Sequence, residues 1–177
     1  MFHVLLYKEG LLSALGHDHV IEVSDSRSEL ALGTSSASAR IVIATQSLEI
    51  DSPPARLSEG LSDKLSDKDR AKIKDSMRGR KGLDAARYPE IVFVSNSIEP
   101  VVGEASLWMV SGDLSLHGST RTLEFAVATT ADPQGSWFAG SVRIRPSDFG
   151  IAPISVAGGL VRVRDEALVR FRLRAHP

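Results

Sequence analysis

The sequence of 177 residues contains no cysteine. That excludes disulfides, thiolate metal ligands and cysteine nucleophiles together. It does not select a compartment, because a chain without thiols suits reducing and oxidising surroundings equally. Charge of one sign is also lacking: the formal net charge is −1. Residues 1–69 carry 6 basic and 11 acidic side chains, and residues 121–177 carry 8 and 5. Such a mild drift falls short of the concentrated basic surface that nucleic acid requires, so no nucleic-acid partner is expected.

No apolar run approaches the roughly eighteen residues of a membrane span, and no stable membrane insertion is expected. The opening MFHVLLYKEG has no basic leader, no long apolar centre and no small-residue cleavage site. It does not read as a signal peptide, and the expected location is cytoplasmic. Also absent are a Gly-x-Ser-x-Gly elbow, a Walker loop and a dinucleotide fingerprint, so no enzymatic activity is expected and no cofactor is required. There is no internal repeat, no low-complexity tract and no convincing linker. With 42% hydrophobic residues the chain can bury a full core, and a single domain over 1–177 is expected.

What the sequence does contain is period-two alternation. ALVRFRLRA places Ala167, Val169, Phe171 and Leu173 on one face, opposite Leu168, Arg170, Arg172 and Arg174. LVRVR and GSVRIR repeat the pattern, which is that of half-buried strands with solvated arginine faces. A docking face for an anionic membrane is the alternative reading of those arginines. Further strand candidates are FHVLLYK, HVIEVSDS, SELALG, SARIVIATQSLEI, EIVFVSNSIEP, ASLWMVSGDLSLHG and TRTLEFAVATT. Gly, Pro, Asp and Ser in LGTSS, PVVGE, DPQG and AGG mark the reversals between them. Seven to ten short strands imply an antiparallel sandwich or barrel.

One segment departs from this pattern. LSDKLSDKDRAKIKDSMRG reads as helix, with Ser66 as cap, Asp69 in the capping-box position, Ile73 and Met77 four apart and Gly79 at the exit. Leu57, Leu61 and Leu65 share the same spacing and suggest a first short helix or turn after the stiff Pro53-Pro54. A helical insertion over about residues 57–79 is therefore expected.

The order of these features resembles the YceI-like family. The resemblance is carried by Tyr88-Pro89-Glu90-Ile91-Val92-Phe93 with Ser95, by Gly112-Asp113-Leu114 with His117-Gly118 and Thr120-Arg121, and by Arg145 with Asp148-Phe149-Gly150. It implies a mainly β protein: an antiparallel, lipocalin-like, up-and-down β-barrel of about eight strands with a helical insertion. It also implies non-catalytic binding of a long-chain isoprenoid, a quinone or polyprenyl lipid, in the interior. A two-fold homodimer through an outer strand or the helix is compatible with the sequence.

Parity along the strands then nominates an inward face. Ile91, Phe93 and Ser95 share one side, as do Leu114 and Leu116, then Leu123, Phe125 and Val127, then Val169, Phe171 and Leu173. The plain alternative is that these residues fill a small barrel themselves. Trp108 and Trp137 suit a half-wet mouth or ordinary packing. The expected ligand contacts are His17, His19, Ile91, Phe93, Leu114, Leu116, Phe125, Phe149 and Phe171.

The cluster His17-Asp18-His19 admits three readings. If residues 15–23 form a strand, both imidazoles point with Ile21 and Val23 toward the cavity. There they need a partner, because bare ring nitrogens in a low-dielectric interior are costly. Hydrogen bonds within the protein or a ligand head group would serve. In the third reading His17 and His19, with His117 or a carboxylate, hold a metal in a metal-binding protein or metal-dependent enzyme, but a structural zinc takes four ligands and no local partner is visible. Gly16 and Asp18 also suit a turn, and then the alternation does not hold. Asp18 beside a histidine base, or His117 beside Ser115 or Ser119, lacks the third member that nucleophilic catalysis needs.

Overall fold

The computed structural model describes residues 1–10, 13–32, 37–62, 65–156 and 160–175. Among these the alternating segments become eleven strands. They are β1 (Phe2–Glu9), β2 (His19–Val23), β3 (Ser26–Leu32), β4 (Ala37–Ala44), β5 (Leu48–Ile50), β6 (Glu90–Pro100), β7 (Leu107–Leu116), β8 (Ser119–Asp132), β9 (Gly135–Ile144), β10 (Ser155–Val156) and β11 (Val161–Ala175). All pair antiparallel in one sheet, in the order β3-β4-β6-β7-β8-β9-β11-β1-β2-β5, with β10 on β11.

Chain continuity turns this sheet into a lipocalin-like barrel. Val23 faces Leu48 and Ser26 faces Ile43, so β2–β3 and β5–β4 are the two arms of one bent hairpin. The bend is a 3-10 turn at Thr45–Ser47. Ser24 Oγ donates to Ser47 O at 2.6 Å, and Ser47 Oγ donates to Asp25 O at 3.1 Å. Because β2 also pairs with β1 and β4 with β6, the hairpin joins both ends of the sheet. Eight staves result: β6, β7, β8, β9, β11, β1, β2–β3 and β5–β4. Closure satisfies edges that would otherwise template aggregation.

The two arginine-rich segments near the C-terminus form one strand, β11, and an irregularity opposite Leu6 and Lys8 absorbs the residues between them. Turn chemistry holds at DPQG, where Asp132 Oδ1 accepts the Gln134 N–H at 2.8 Å. It holds also at PVVGE, where Glu104 N donates to Val101 O at 3.0 Å. The reversals expected within LGTSS and AGG fall largely outside the described residues.

The insertion contains two helices, α1 (Pro53–Ser58) and α2 (Asp67–Arg78). Ser52 caps α1, its hydroxyl accepting from Ala55 N, and prolines occupy the first helical positions, where no N–H is needed. Ser66 caps α2 as expected, accepting from Asp69 N at 3.1 Å. The exit at Gly79 is extended, with φ −71°, rather than left-handed. The leucine spacing misleads here: Leu57 is 79% exposed, whereas Leu61 packs toward the wall and Leu65 is buried.

The two helices cover different surfaces. α1 lies on the outside of the wall, where Ala55 meets Leu5, Val20 and Leu168. Ile73 and Met77 of α2 instead meet the inward residues Ile21, Leu48 and Ile50, with Leu83 and Ile91 beside them. α2 thus covers the end of the barrel at which β2 begins. Lys74 and Arg78 hold it there through Glu49, and Arg78 also reaches Leu48 O at 2.7 Å. No helix among the described residues is long and apolar enough to cross a membrane.

Candidate functional site

The wall and α2 surround a cavity of about 1280 Å³. That exceeds the roughly 300–1,000 Å³ of typical small-molecule pockets. Strand parity explains its lining. Phe2, Val4 and Leu6 of β1 face in, as do Ile21 and Val23, Ile41 and Ile43, Val110 and Leu114, Leu123 and Phe125, and Val169, Phe171 and Leu173. The alternate residues of each strand face out.

Four phenyl rings form a band across the interior wall. Phe93 and Phe125 are 5.6 Å apart between centroids, Phe125 and Phe171 5.8 Å in an edge-on arrangement, and Phe171 and Phe2 6.1 Å. These are ordinary separations for favourable aromatic pairs. Glycines make room for two of the rings. A Cβ at Gly112 would sit 2.4 Å from Phe93 Cζ, and one at Gly140 would sit 2.6 Å from Phe171 Cζ.

Of the nine ligand contacts expected from sequence, eight line this cavity: His17, His19, Ile91, Phe93, Leu114, Leu116, Phe125 and Phe171. Phe149 does not. It is 1% exposed, in the 3-10 turn Pro146–Phe149 that packs against β8 and β11. Gly150 turns the chain there with φ 76°. Ser95 likewise leaves the inward series: β6 is irregular between Ser95 and Ser97, and Ser95 Oγ accepts the Ala39 N–H at 2.8 Å. Trp108 lines the cavity, but Trp137 does not. Arg172 and Arg174 lie over the Trp137 ring at 4.2 and 5.0 Å, and its indole N–H donates to Asp132. Two further contacts hold arginines of β11: Arg170 bonds Glu59 Oε2 at 2.5 Å and Arg174 bonds Asp132 at 2.8 Å.

The signature residues Tyr88, His117, Gly118, Phe149 and Gly150 form a structural clamp. His117 Nδ1 donates to Phe149 O at 3.1 Å, and its ring lies 4.7 Å from that of Tyr88. A Cβ at Gly118 would strike Tyr88 at 2.6 Å. Tyr88 O accepts from the buried Thr45 hydroxyl at 2.7 Å, which ties this corner to the bent hairpin. His117 thus spends Nδ1 and one ring contact on this clamp. Among the described residues no group of three or more His, Cys, Asp or Glu is placed to hold a metal ion.

His17-Asp18-His19 is divided by the structure. Residues 13–15 form a 3-10 turn and the strand begins only at His19, so the cluster sits where turn becomes strand. His17 and His19 both line the cavity, next to Gly16 and Lys8. Asp18 bonds neither imidazole; its Oδ1 accepts the Lys8 backbone N–H at 2.9 Å. His19 Nδ1 instead lies 2.6 Å from Oδ2 of Asp51. Asp51 Oδ1 accepts from Val20 N at 3.1 Å and from Arg56 Nη1 at 2.7 Å. Arg56 is spent on this corner: it also reaches Asp18 O at 2.9 Å and Ser62 O at 2.6 and 2.8 Å.

Asp51 is 0% exposed and Arg56 2%. Burial would push the Asp51 carboxyl up. The His19 hydrogen bond and the charge of the imidazolium present in acid, then the Val20 N–H and Arg56, outweigh burial and hold it below the ordinary value of 3.8. Asp51 is therefore an ionised acceptor. Sequence reasoning missed both Asp51 and Arg56. The available signal was Asp51-Ser52-Pro53-Pro54, a turn into a helix. Asp51 takes φ 55°, a conformation aspartate tolerates better than most side chains.

A closed antiparallel barrel around a large apolar cavity, with imidazoles at one end, is an architecture consistent with binding a hydrophobic ligand. Residues 17–175 match the YceI-like domain, and the chain belongs to that family. A "UPF0312 protein" of Shewanella denitrificans is 33% identical over 91 residues, 48% of this chain and 47% of that protein. A "UPF0312 protein" of Pseudomonas savastanoi pv. phaseolicola is 35% identical over 75 residues, 39% of this chain and 38% of the relative. The chain thus spans less than half the length of the curated relatives it matches. Among solved structures, Burkholderia cenocepacia BcnA superposes with a TM-score of 0.69 at 20% identity, covering 98% of this chain and 96% of that one. The Campylobacter jejuni YCEI protein does so at 0.66 and 13%, covering 89% and 84%. These two establish likeness of fold.

Proposed function

We propose that the chain binds and carries, or sequesters, a long-chain isoprenoid-type lipid in its barrel, without catalysing a reaction on it. The observation that carries this reading is the cavity of about 1280 Å³, walled by aliphatic side chains and a band of phenylalanines. Each buried methylene contributes roughly 0.8 kcal/mol in transfer free energy. A few isoprene units therefore bind without strong polar contacts, even after the ordering of a flexible tail is subtracted. In this reading Ile91, Phe93, Leu114, Leu116, Phe125 and Phe171 contact the tail, and His17 and His19 stand near the head group.

The test is direct. Protein purified without an affinity tag is extracted with organic solvent and the extract analysed by mass spectrometry, and the delipidated protein is titrated with geranylgeraniol. A prenyl lipid in the extract, or saturable uptake, is expected. Neither a lipid nor saturable uptake would overturn the proposal.

A further inference from the structure

The polar end of the cavity has a defined hydrogen-bonding sense. The carboxylate of Asp51 is fully buried and can only accept, so the proton between it and His19 resides on Nδ1. Its charge is already matched by Arg56, whose guanidinium donates to Oδ1 at 2.7 Å. A neutral imidazole protonated on Nδ1 leaves a bare lone pair on Nε2. No described residue bonds that nitrogen, and the ring lines the cavity.

We infer that His19, oriented by Asp51, presents a hydrogen-bond acceptor to the ligand and selects head groups that carry a donor. The favoured class is an alcohol, phenol or other hydroxyl. The disfavoured class can only accept: ketone, quinone, ester or ether. This rests on the binding reading above and adds to it which end-group chemistry the cavity takes. A head group without a donor faces Nε2 lone pair to lone pair and strips its water without replacing it, and sites built around one hydrogen bond discriminate on that ground. Asp51 is a positioning residue here; the contact with ligand belongs to His19.

The orientation of a substituted amide is also determined. Val20 N and Arg56 Nη1 both donate to Oδ1, while Oδ2 alone faces His19. In Asp51→Asn the amide oxygen keeps the two donors and the NH₂ turns to Nδ1. The imidazole proton then moves to Nε2, and the acceptor becomes a donor.

The experiment compares geranylgeraniol with its methyl ether on the delipidated protein at mildly alkaline pH. The wild type is expected to bind the alcohol roughly tenfold more tightly. His19→Leu should bring the ratio to about one while both probes still bind, and the outward control Val94→Ala should leave it unchanged. Asp51→Asn should tighten the ether and so also bring the ratio to about one, because a hydroxyl accepts from Nε2–H as an ether does. Should Asp51→Asn not fold, a long-range ¹H–¹⁵N spectrum of the wild type reads the tautomer directly, and a protonated Nδ1 with a bare Nε2 is expected. Equal binding of both probes by the wild type, a ratio kept in His19→Leu, or the opposite tautomer overturns the inference and leaves the binding reading standing. If neither probe binds, the inference falls, and the binding reading falls with it when the extract also holds no prenyl lipid.

Discussion

His19 donates its Nδ1–H to Asp51 across 2.6 Å, although Asp18 is its neighbour in the chain. Asp18 lies just before the strand, and its carboxylate is taken by the Lys8 backbone N–H. The carboxylate that orients His19 arrives instead from the far end of the β2–β5 ladder, one residue beyond Ile50, which faces Ile21.

The buried pair beneath His19 should dominate local stability. Arg56→Met removes a guanidinium that makes four hydrogen bonds and leaves a fully buried carboxylate without its cation. Breaking one side of such a pair costs about 3–5 kcal/mol. Urea unfolding of the variant should show that loss, and a change below about 1 kcal/mol would mean that the pair behaves like an exposed one.

Acid should reveal the same group. The folded-state value of Asp51 is depressed below 3.8, so the unfolded chain takes up its proton first as pH falls. The stabilisation is complete above the unfolded value and is lost as pH drops through the folded one. Urea midpoints measured from about pH 5 downward should fall more steeply for the wild type than for Asp51→Asn. Parallel curves would contradict the assignment.

Gly140 should resist substitution although its φ is ordinary. A Cβ there would meet Phe171 Cζ at 2.6 Å and Ala126 O at 2.7 Å, so Gly140→Ala must displace a ring or the neighbouring strand. Overpacking of this kind costs about 1–3 kcal/mol. Scanning calorimetry should register the loss, with ligand uptake also reduced because the displaced ring moves into the cavity.

Filling the cavity should separate binding from folding. Leu114 faces the lumen, so Leu114→Trp can project into space rather than into packed neighbours. Saturable uptake of geranylgeraniol should fall sharply while stability changes by less than about 1.5 kcal/mol. Val94, which is 41% exposed, supplies the outward control: Val94→Trp should leave uptake unchanged. Unchanged uptake in Leu114→Trp would place the ligand elsewhere.

Local chemistry alone determined much of this protein. Period-two alternation was enough to name the strands and to nominate lining residues in β7, β8 and β11, because neighbouring side chains on a pleated strand must face opposite ways. The Ser66 cap and the Asp132 turn were readable for the same reason: each is made between residues two or three apart. The tertiary structure decided everything that depends on distant partners. It joined β2–β3 to β5–β4 as the closing hairpin, turned Phe149 and His117 into a structural clamp, and matched His19 with an aspartate 32 positions away. Spacing cannot report such pairings, since a buried charge takes whichever partner the fold brings to it.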